Sequence, residues 1–342
     1  MTKTSNKKDH GGNVDDALRT YGGDRGDWLD LSTGINPEPY PVGRISSPAW
    51  AELPSETTLA SLKRAARSAY GTDADVIPFH GAQGAIQAMP HLAEARRACI
   101  LTPTYNEHRA ALMTAGWRVE DVTGLGALCG ADMAVVVNPN NPDGQRHDPR
   151  SLIGLAGKVG LLVVDESFVE TDQALSLAPD VPSNVVVIRS FGKFYGLAGV
   201  RLGFALAHGR FAARLADLAG PWPVSGPAIE IARRAFDDTA WRADTRKRLA
   251  GDAKRLDALA DSAGWDLVGG TSLFRTYATP NAAAAQAALA RYRVWSRIFP
   301  YSDRWLRLGL PPSDGWDQLE AAFRDRQALQ ASRPETSSAS SR

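Results

Sequence analysis

Five short runs that are almost entirely apolar constrain this chain more than anything else in it: Ala98–Leu101, Met133–Val137, Leu161–Val164, Val185–Ile188 and Leu202–Ala205. A strand with one face in water alternates apolar and polar residues, whereas a strand covered on both faces has no reason to. These runs therefore predict strands inside a sheet sandwiched between helices. Helical patterns fall between them, at Ala85–Ala95, Glu107–Ala115 and Pro149–Gly157. Strand alternating with helix predicts an α/β fold with a mainly parallel sheet and helices on both sides.

The pattern changes after the last run. Residues 206–260 read as long helices rich in Ala, Arg and Leu, with a helical stripe over Ala228–Leu259. Beyond Gly269 and Gly270, strand-like pieces at Leu273–Tyr277 and Trp305–Leu310 flank a helix at Ala282–Tyr292, which predicts a smaller α+β domain. The expected division is a flexible tail over residues 1–9, an ordered Gly/Pro-rich N-terminal arm over 10–45, a large domain over 46–215, a small C-terminal domain over 216–330 and a disordered tail over 331–342. The last tail, ASRPETSSASSR, has almost nothing to bury.

Charge excludes several roles. The 39 basic and 38 acidic side chains leave a net charge of +1, so no broad field favours nucleic acid or an anionic membrane. Anion recognition must come from a few placed residues. No apolar run reaches the ~18 residues of a membrane span, and the opening MTKTSNKKDHGG lacks the apolar core of a signal peptide. A cytoplasmic location is expected. The two cysteines, Cys99 and Cys129, show neither metal-ligand nor disulfide spacing and read as buried or half-buried thiols. No metal is expected.

Three loops follow strand-like runs, and ligands in open α/β sheets sit outside the carboxyl ends of strands. Asn138-Pro-Asn-Asn-Pro-Asp-Gly144 follows MAVVV; by itself it is also an ordinary turn, since these are the turn-forming residues. Asp165-Glu-Ser-Phe168 follows GLLVV, where an acid also serves as a helix N-cap. The segment from Arg189 to Gly203 follows NVVVI and sets a hydroxyl, a lysine and an arginine in a glycine-rich loop. Lys193 stands among Phe191, Phe194 and Tyr195. Desolvation by those rings is expected to favour the neutral amine that a Schiff base needs. Ser190, Arg201 and the glycine amides suit a phosphate. Phe79-His-Gly-Ala-Gln-Gly84 adds small residues at a helix start, where backbone N–H groups approach an anion; no GK[ST] follows, so it is not a P-loop.

In this order and spacing, NPNNPDG, DESF and SFGKFYGLAGVRLGF resemble the signature segments of the fold-type-I pyridoxal-phosphate (PLP) enzymes, the aspartate-aminotransferase superfamily. The resemblance implies that Lys193 carries pyridoxal 5'-phosphate as a Schiff base. Asp165 would pair with the pyridine nitrogen, and Asn141 with the phenolic oxygen. The Ala82 and Gln83 amides, Ser190 and Arg201 would hold the phosphate, and Tyr105 would stack on the ring. Arg307, in WLRLGLP, would grip the substrate carboxylate. Three departures stand out: Phe168 where many aminotransferases have Tyr, Asp143 in place of the usual Thr, and Gly192 in place of a hydroxyl residue before the lysine.

Two branches are close, the histidinol-phosphate aminotransferases and the L-threonine-O-3-phosphate decarboxylases of cobalamin (vitamin B12) biosynthesis. His10-Gly-Gly-Asn13, Leu29-Asp-Leu-Ser-Thr-Gly-Ile-Asn-Pro37, Arg189-Ser-Phe-Gly-Lys-Phe194 and Gly220-Pro-Trp-Pro-Val-Ser225 are most similar to the decarboxylases. That resemblance implies a carboxy-lyase forming (R)-1-amino-2-propanol O-phosphate and CO2. Its substrate phosphate would be recognised by His10, Arg297 and Asn141, with Gly34 where a relative carries Asn. An aminotransferase would use the same lysine, aspartate and asparagine, and substrate pose would decide between the outcomes. The family implies a homodimer, and the decarboxylase branch leaves room for association with a cobyric-acid amide-forming enzyme. A PLP-binding regulator fits less well, because no basic helix-turn-helix pattern is present.

Overall fold

A computed structural model describes residues 11–325 and Leu329. His10 and the tails expected over 1–9 and 331–342 lie outside the described residues. The strands, in chain order, are Leu29–Asp30 (β1), Asp75–His80 (β2), Arg97–Leu101 (β3), Arg118–Val122 (β4), Met133–Val137 (β5), Leu161–Asp165 (β6), Val185–Ser190 (β7), Leu202–Ala207 (β8), Asp266–Thr271 (β9), Phe274–Ala278 (β10), Val294–Trp295 (β11), Arg297–Phe299 (β12) and Ser302–Gly309 (β13). The backbone groups into two compact units. The larger comprises Ile35–Gly251 and Gly269–Leu273; the smaller comprises, among the described residues, 11–34, Asp252–Val268 and 274–325. This grouping differs from a division at 215/216. The helices Gly209–Ala219 and Gly226–Asp237 fall in the larger unit, and the expected N-terminal arm divides after Gly34.

The larger unit holds a seven-stranded sheet in the order β2-β8-β7-β6-β5-β3-β4. The pairs β3/β4, β3/β5, β5/β6 and β6/β7 are parallel, while β8 runs antiparallel to both β7 and β2. All five apolar runs are strands of this sheet, and β5, β6 and β8 are buried at every residue. Ile77, Phe79, Ile100, Val135, Val163, Val186 and Ile188 meet Ile86, Leu112 and Leu215 from helices in one core. Burying each such side chain contributes about 1.5–3 kcal/mol before conformational entropy is set against it.

Several helices depart from expectation. The helix expected at Ala85–Ala95 runs over Gly81–Ala88 and tightens into a 3-10 turn at Met89–His91, because Pro90 has no N–H to continue the ladder. The stripe over Ala228–Leu259 is two helices, Gly226–Asp237 and Thr239–Ser262; between them the Asp238 carboxylate accepts the Trp241 N–H at 2.9 Å and starts the second. A helix over Glu56–Tyr70 was not expected, although Ser55 caps its start and Gly71, at φ 63°, ends it.

The smaller unit contains the antiparallel strands β10, β12 and β13, with β13 between the other two. β1 pairs with β11 in parallel. Val14 and Ala17 of the helix Val14–Tyr21 pack with Trp28 and Ala290, flanked by Tyr21 and Trp295.

Candidate functional site

The sheet delivers six segments to one edge. The parallel strands β3, β5, β6 and β7 send out the loops that carry Tyr105, Asn141, Asp165 with Ser167, and Ser190 with Lys193. β2 ends at His80, opposite Leu202 at the start of antiparallel β8, so Ala82, Gln83 and Arg201 come to the same edge. Together Ala82, Gln83, Ile86, Tyr105, Val137, Asn141, Asp165, Ser167, Phe168, Ser190, Lys193 and Arg201 line a cavity of about 170 Å³. Every cofactor-binding candidate named from the sequence is on that wall.

Strand alternation sorts the charged residues behind it. Asp165 and Ser190 face the cavity, while their neighbours Glu166 and Arg189 belong to a buried ion network away from it. Arg189 Nη1 lies 3.0 Å from Glu166 Oε2, its other nitrogen bonds Glu170, and Arg246 Nη2 reaches Glu170 Oε2 at 3.4 Å. The network ties β6 to β7. Removing one member would leave a buried charge uncompensated, at a cost of about 3–5 kcal/mol.

Asp165 is 2% exposed. His108 Nε2 lies 2.9 Å from its Oδ2, and the Ser167 N–H and hydroxyl donate to its Oδ1 at 2.9 and 2.5 Å. Burial alone would raise its pKa, but the His108 bond and charge, with the two Ser167 bonds, hold the carboxyl below its ordinary range. Asp165 is therefore a carboxylate at neutral pH, and His108 must present its Nε2 hydrogen to it. His108 and Ser167 were missed in the sequence. For Ser167 the signal was local, since Asp165-Glu-Ser is an Asx-turn pattern.

Tyr105 is also fixed from behind. Its hydroxyl donates to Gln83 Oε1 at 3.4 Å, and Gln83 Nε2 donates to the buried Glu107 carboxylate at 2.7 Å. Burial, with the Glu107 and Asp165 charges, pushes the phenol up to about 12, so it stays protonated at neutral pH.

Lys193 is half-buried, with Nζ 5.6 Å from the centre of the Phe168 ring. The aromatic neighbours expected to desolvate it do not line the cavity. Phe191, Phe194 and Tyr195 turn into a buried aromatic cluster with Trp241 and Phe236. The apolar group beside the amine is Phe168, the residue that departs from the aminotransferase pattern. Gly192 has its own reason: a Cβ there would stand 2.7 Å from Ala198 Cα, so a hydroxyl residue cannot precede the lysine in this backbone. Asp143 is structural, accepting from Asn140 Nδ2 at 2.7 Å and from the Gln145 N–H at 2.9 Å. The asparagine loop ends at Gly144, at φ 68°, where a Cβ would stand 2.0 Å from Gly270 N. Only glycine fits there.

The chemistry of the donors fits a phosphorylated pyridine. Arg201 adopts the left-handed region, φ 53°, and its guanidinium lies over Gly81, where a Cβ would meet Nη2 at 2.6 Å. Beneath it the helix Gly81–Ala88 begins with amides that have no intrahelical acceptor. The Gly81 N–H is taken by the Arg201 carbonyl at 2.9 Å; a cation, the Ala82 and Gln83 amides and the Ser190 hydroxyl suit a phosphate, and the Asp165 carboxylate suits a protonated ring nitrogen.

In the smaller unit, Arg297 and Arg307 stand opposite each other across the antiparallel pair β12/β13. Arg307 is 6% exposed and Nη2 donates to the Ser32 carbonyl at 2.6 Å. Its guanidinium lies 5.3 and 5.9 Å from the ring centres of Phe274 and Phe299. Burial, then the Arg297 charge, pulls its pKa down to about 10, which leaves it charged at neutral pH. It is not the surface arginine its strand position allows. Gly34 is buried.

The match to the family model "Aminotransferase class I and II" covers residues 44–319. The chain belongs to that family, whose cofactor is PLP. Among characterised proteins it is 41% identical to a threonine-phosphate decarboxylase of Sinorhizobium sp over 321 residues, spanning 90% of this chain and 95% of the relative. It is 39% identical to a threonine-phosphate decarboxylase of Pseudomonas aeruginosa, spanning 92% and 97%. The fold matches a crystal structure of histidinol-phosphate aminotransferase from Sinorhizobium meliloti in complex with pyridoxal-5'-phosphate, with a TM-score of 0.81 at 19% identity over 93% of this chain and 94% of that one.

Proposed function

We propose that this chain is a PLP-dependent carboxy-lyase that converts L-threonine O-3-phosphate to (R)-1-amino-2-propanol O-phosphate and CO2 in cobalamin biosynthesis. Likeness to two threonine-phosphate decarboxylases over nearly the whole chain carries this reading. The opposed Arg297 and Arg307 support it, because like charges facing across a strand pair repel and an anionic substrate relieves the repulsion.

Bound PLP supplies an electron-accepting ring, which takes up the electron pair of the broken Cα–carboxylate bond. The protein's share is placement and charge. Arg201, Ser190 and the Ala82 and Gln83 amides hold the phosphate. Asp165, kept ionised by His108 and Ser167, holds a proton at the pyridine nitrogen. Asn141 bonds the phenolic oxygen and Tyr105 stacks on the ring. Lys193 would hold the cofactor covalently and would donate the proton that Cα takes up once CO2 has left. Arg307 takes the substrate carboxylate; His10, Arg297 and Asn141 take the substrate phosphate, with Gly34 leaving room where a relative has Asn. Through its grip on the substrate carboxylate, Arg307 would help to select the Cα–carboxylate bond over Cα–H.

A homodimer belongs to the same proposal. Trp50, Leu53 and Trp222 are 70, 66 and 56% exposed and line one groove with Val200, next to Arg201. A second copy covering them would bury three large apolar side chains. No helix among the described residues is long and apolar enough to cross a membrane; we place the enzyme in the cytoplasm.

The test is direct. Protein incubated with PLP and L-threonine O-3-phosphate should release CO2 and aminopropanol phosphate in equal amounts. Neither product, together with transamination of histidinol phosphate, would overturn the reading.

A further inference from the structure

The helical turn that carries Lys193 is only four residues long, Phe191–Phe194. So short a turn leaves carbonyls that need donors from elsewhere. Residues 36–40 supply them. The Asn36 N–H donates to the Lys193 carbonyl at 2.9 Å, Asn36 Nδ2 donates to the Phe194 carbonyl at 2.9 Å, and the Tyr40 N–H donates to the Tyr195 carbonyl at 2.9 Å. One strap therefore binds three consecutive carbonyls, the first of them belonging to Lys193.

Asn36 is itself held firmly. It is 2% exposed, and its Oδ1 accepts from Arg248 Nη2 at 2.6 Å and from the Glu38 N–H at 3.1 Å. Arg248 Nε in turn lies 3.2 Å from the Glu38 carboxylate. Because both partners of Oδ1 are donors, the amide has one orientation, with Nδ2 toward the Phe194 carbonyl. The strap passes so close that a Cβ on Gly196 would stand 2.7 Å from the Asn36 carbonyl oxygen and from Pro39 Cα. None of these strap residues lines the cavity.

We propose that Asn36 is the positioning residue of Lys193. By bonding the carbonyls of residues 193 and 194 it fixes the rotation of the turn, and with it the direction in which the lysine side chain enters the cavity. Asn36 touches neither cofactor nor substrate in this role and acts through Lys193. The proposal rests on the reading of Lys193 as the cofactor lysine.

Asn36→Asp tests it. Aspartate keeps the size and the bonds from Arg248 and Glu38, but sets a carboxylate oxygen against the Phe194 carbonyl in place of a donor. The phosphate cradle is untouched, so PLP should still bind. Two quantities are read on the resting protein without substrate: the fraction of bound PLP that borohydride fixes to Lys193, located by peptide mapping, and the pH midpoint of the visible band. The midpoint should move by about one pH unit, a tenfold change in the balance of linked forms, and the fixed fraction at neutral pH should fall. Arg248→Gln, at a side chain 27% exposed, removes the shorter of the two bonds to Asn36 Oδ1 and should shift both quantities in the same direction; it serves if Asn36→Asp does not fold. A purely structural role would lower Tm and leave both quantities in place. Unchanged midpoint and fixed fraction in whichever variant folds overturn the proposal. Label on a different lysine in the parent protein overturns the cofactor reading, and the proposal with it.

Discussion

His108 Nε2 lies 2.9 Å from Asp165 Oδ2, and both side chains are almost wholly buried. A carboxylate in that position would ordinarily retain its proton. The histidine, with Ser167, reverses the preference, so the ionisation of Asp165 depends on a residue outside the cavity wall.

His108→Phe should therefore weaken PLP binding by roughly 10–100-fold, the range for losing a charge-assisted bond to a buried group. It should also change the acid limb of stability. Asp165 is depressed in the folded state, so its contribution is complete above the ordinary value of 3.8 and is lost as pH falls through the lower folded value. In the variant burial is no longer offset by His108, so the folded value lies higher and the contribution at neutral pH is smaller. Thermal unfolding followed from pH 7 to pH 3 should show parent and variant converging in acid; parallel curves throughout would contradict the assignment.

Gly192→Ser should destabilise the protein by about 1–3 kcal/mol, the usual cost of overpacking. The added Cβ meets Ala198 Cα, which is backbone and cannot swing aside. Tm and bound PLP per chain should fall together. A variant as stable as its parent would show that the turn has room for the hydroxyl residue common elsewhere in the family.

Arg307→Lys keeps a positive charge but loses the guanidinium fork. KM for L-threonine O-3-phosphate should rise by roughly 10–100-fold, with PLP uptake unchanged, because the cavity wall does not include this residue. Arg297→Gln should raise KM more for the phosphorylated substrate than for threonine. Equal effects on both substrates would separate Arg297 from phosphate recognition.

Trp50→Glu with Trp222→Glu should convert a dimer into monomers in sedimentation velocity. Each adds a charge to an exposed apolar side chain, and neither should lower the stability of the isolated chain by much more than about 0.5 kcal/mol. A parent that sediments as a monomer would remove the proposed interface.

The sequence discloses the site better than its supports, for a physical reason. Asn141, Asp165, Ser190 and Lys193 each stand within a few residues of an apolar strand end, so a local pattern marks them. Asn36 and His108 act on residues far along the chain, and no local pattern announces that. The strands follow the same logic. The five runs read from hydrophobicity are interior strands. The two strands of that sheet that were not anticipated, Asp75–His80 and Arg118–Val122, are its edges. An edge strand tolerates Pro78, and Arg118, Glu120 and Asp121, because it has an unpaired side. The helix Glu56–Tyr70 had a serine cap and a terminal glycine in plain view, but its apolar stripe is narrow, with only Leu62, Ala66 and Tyr70 buried.

The contact between Gly144 and Gly270 bears on how the chain is made. Synthesis runs from the amino end, so the ribosome has produced Asn141, Asp165 and Lys193 well before the backbone that packs against the asparagine loop. A nascent chain can build its sheet and still lack that support for the asparagine loop. Firm cofactor capture is thus an event for the finished polypeptide, and a chain halted after Gly251 should emerge folded in part and pale.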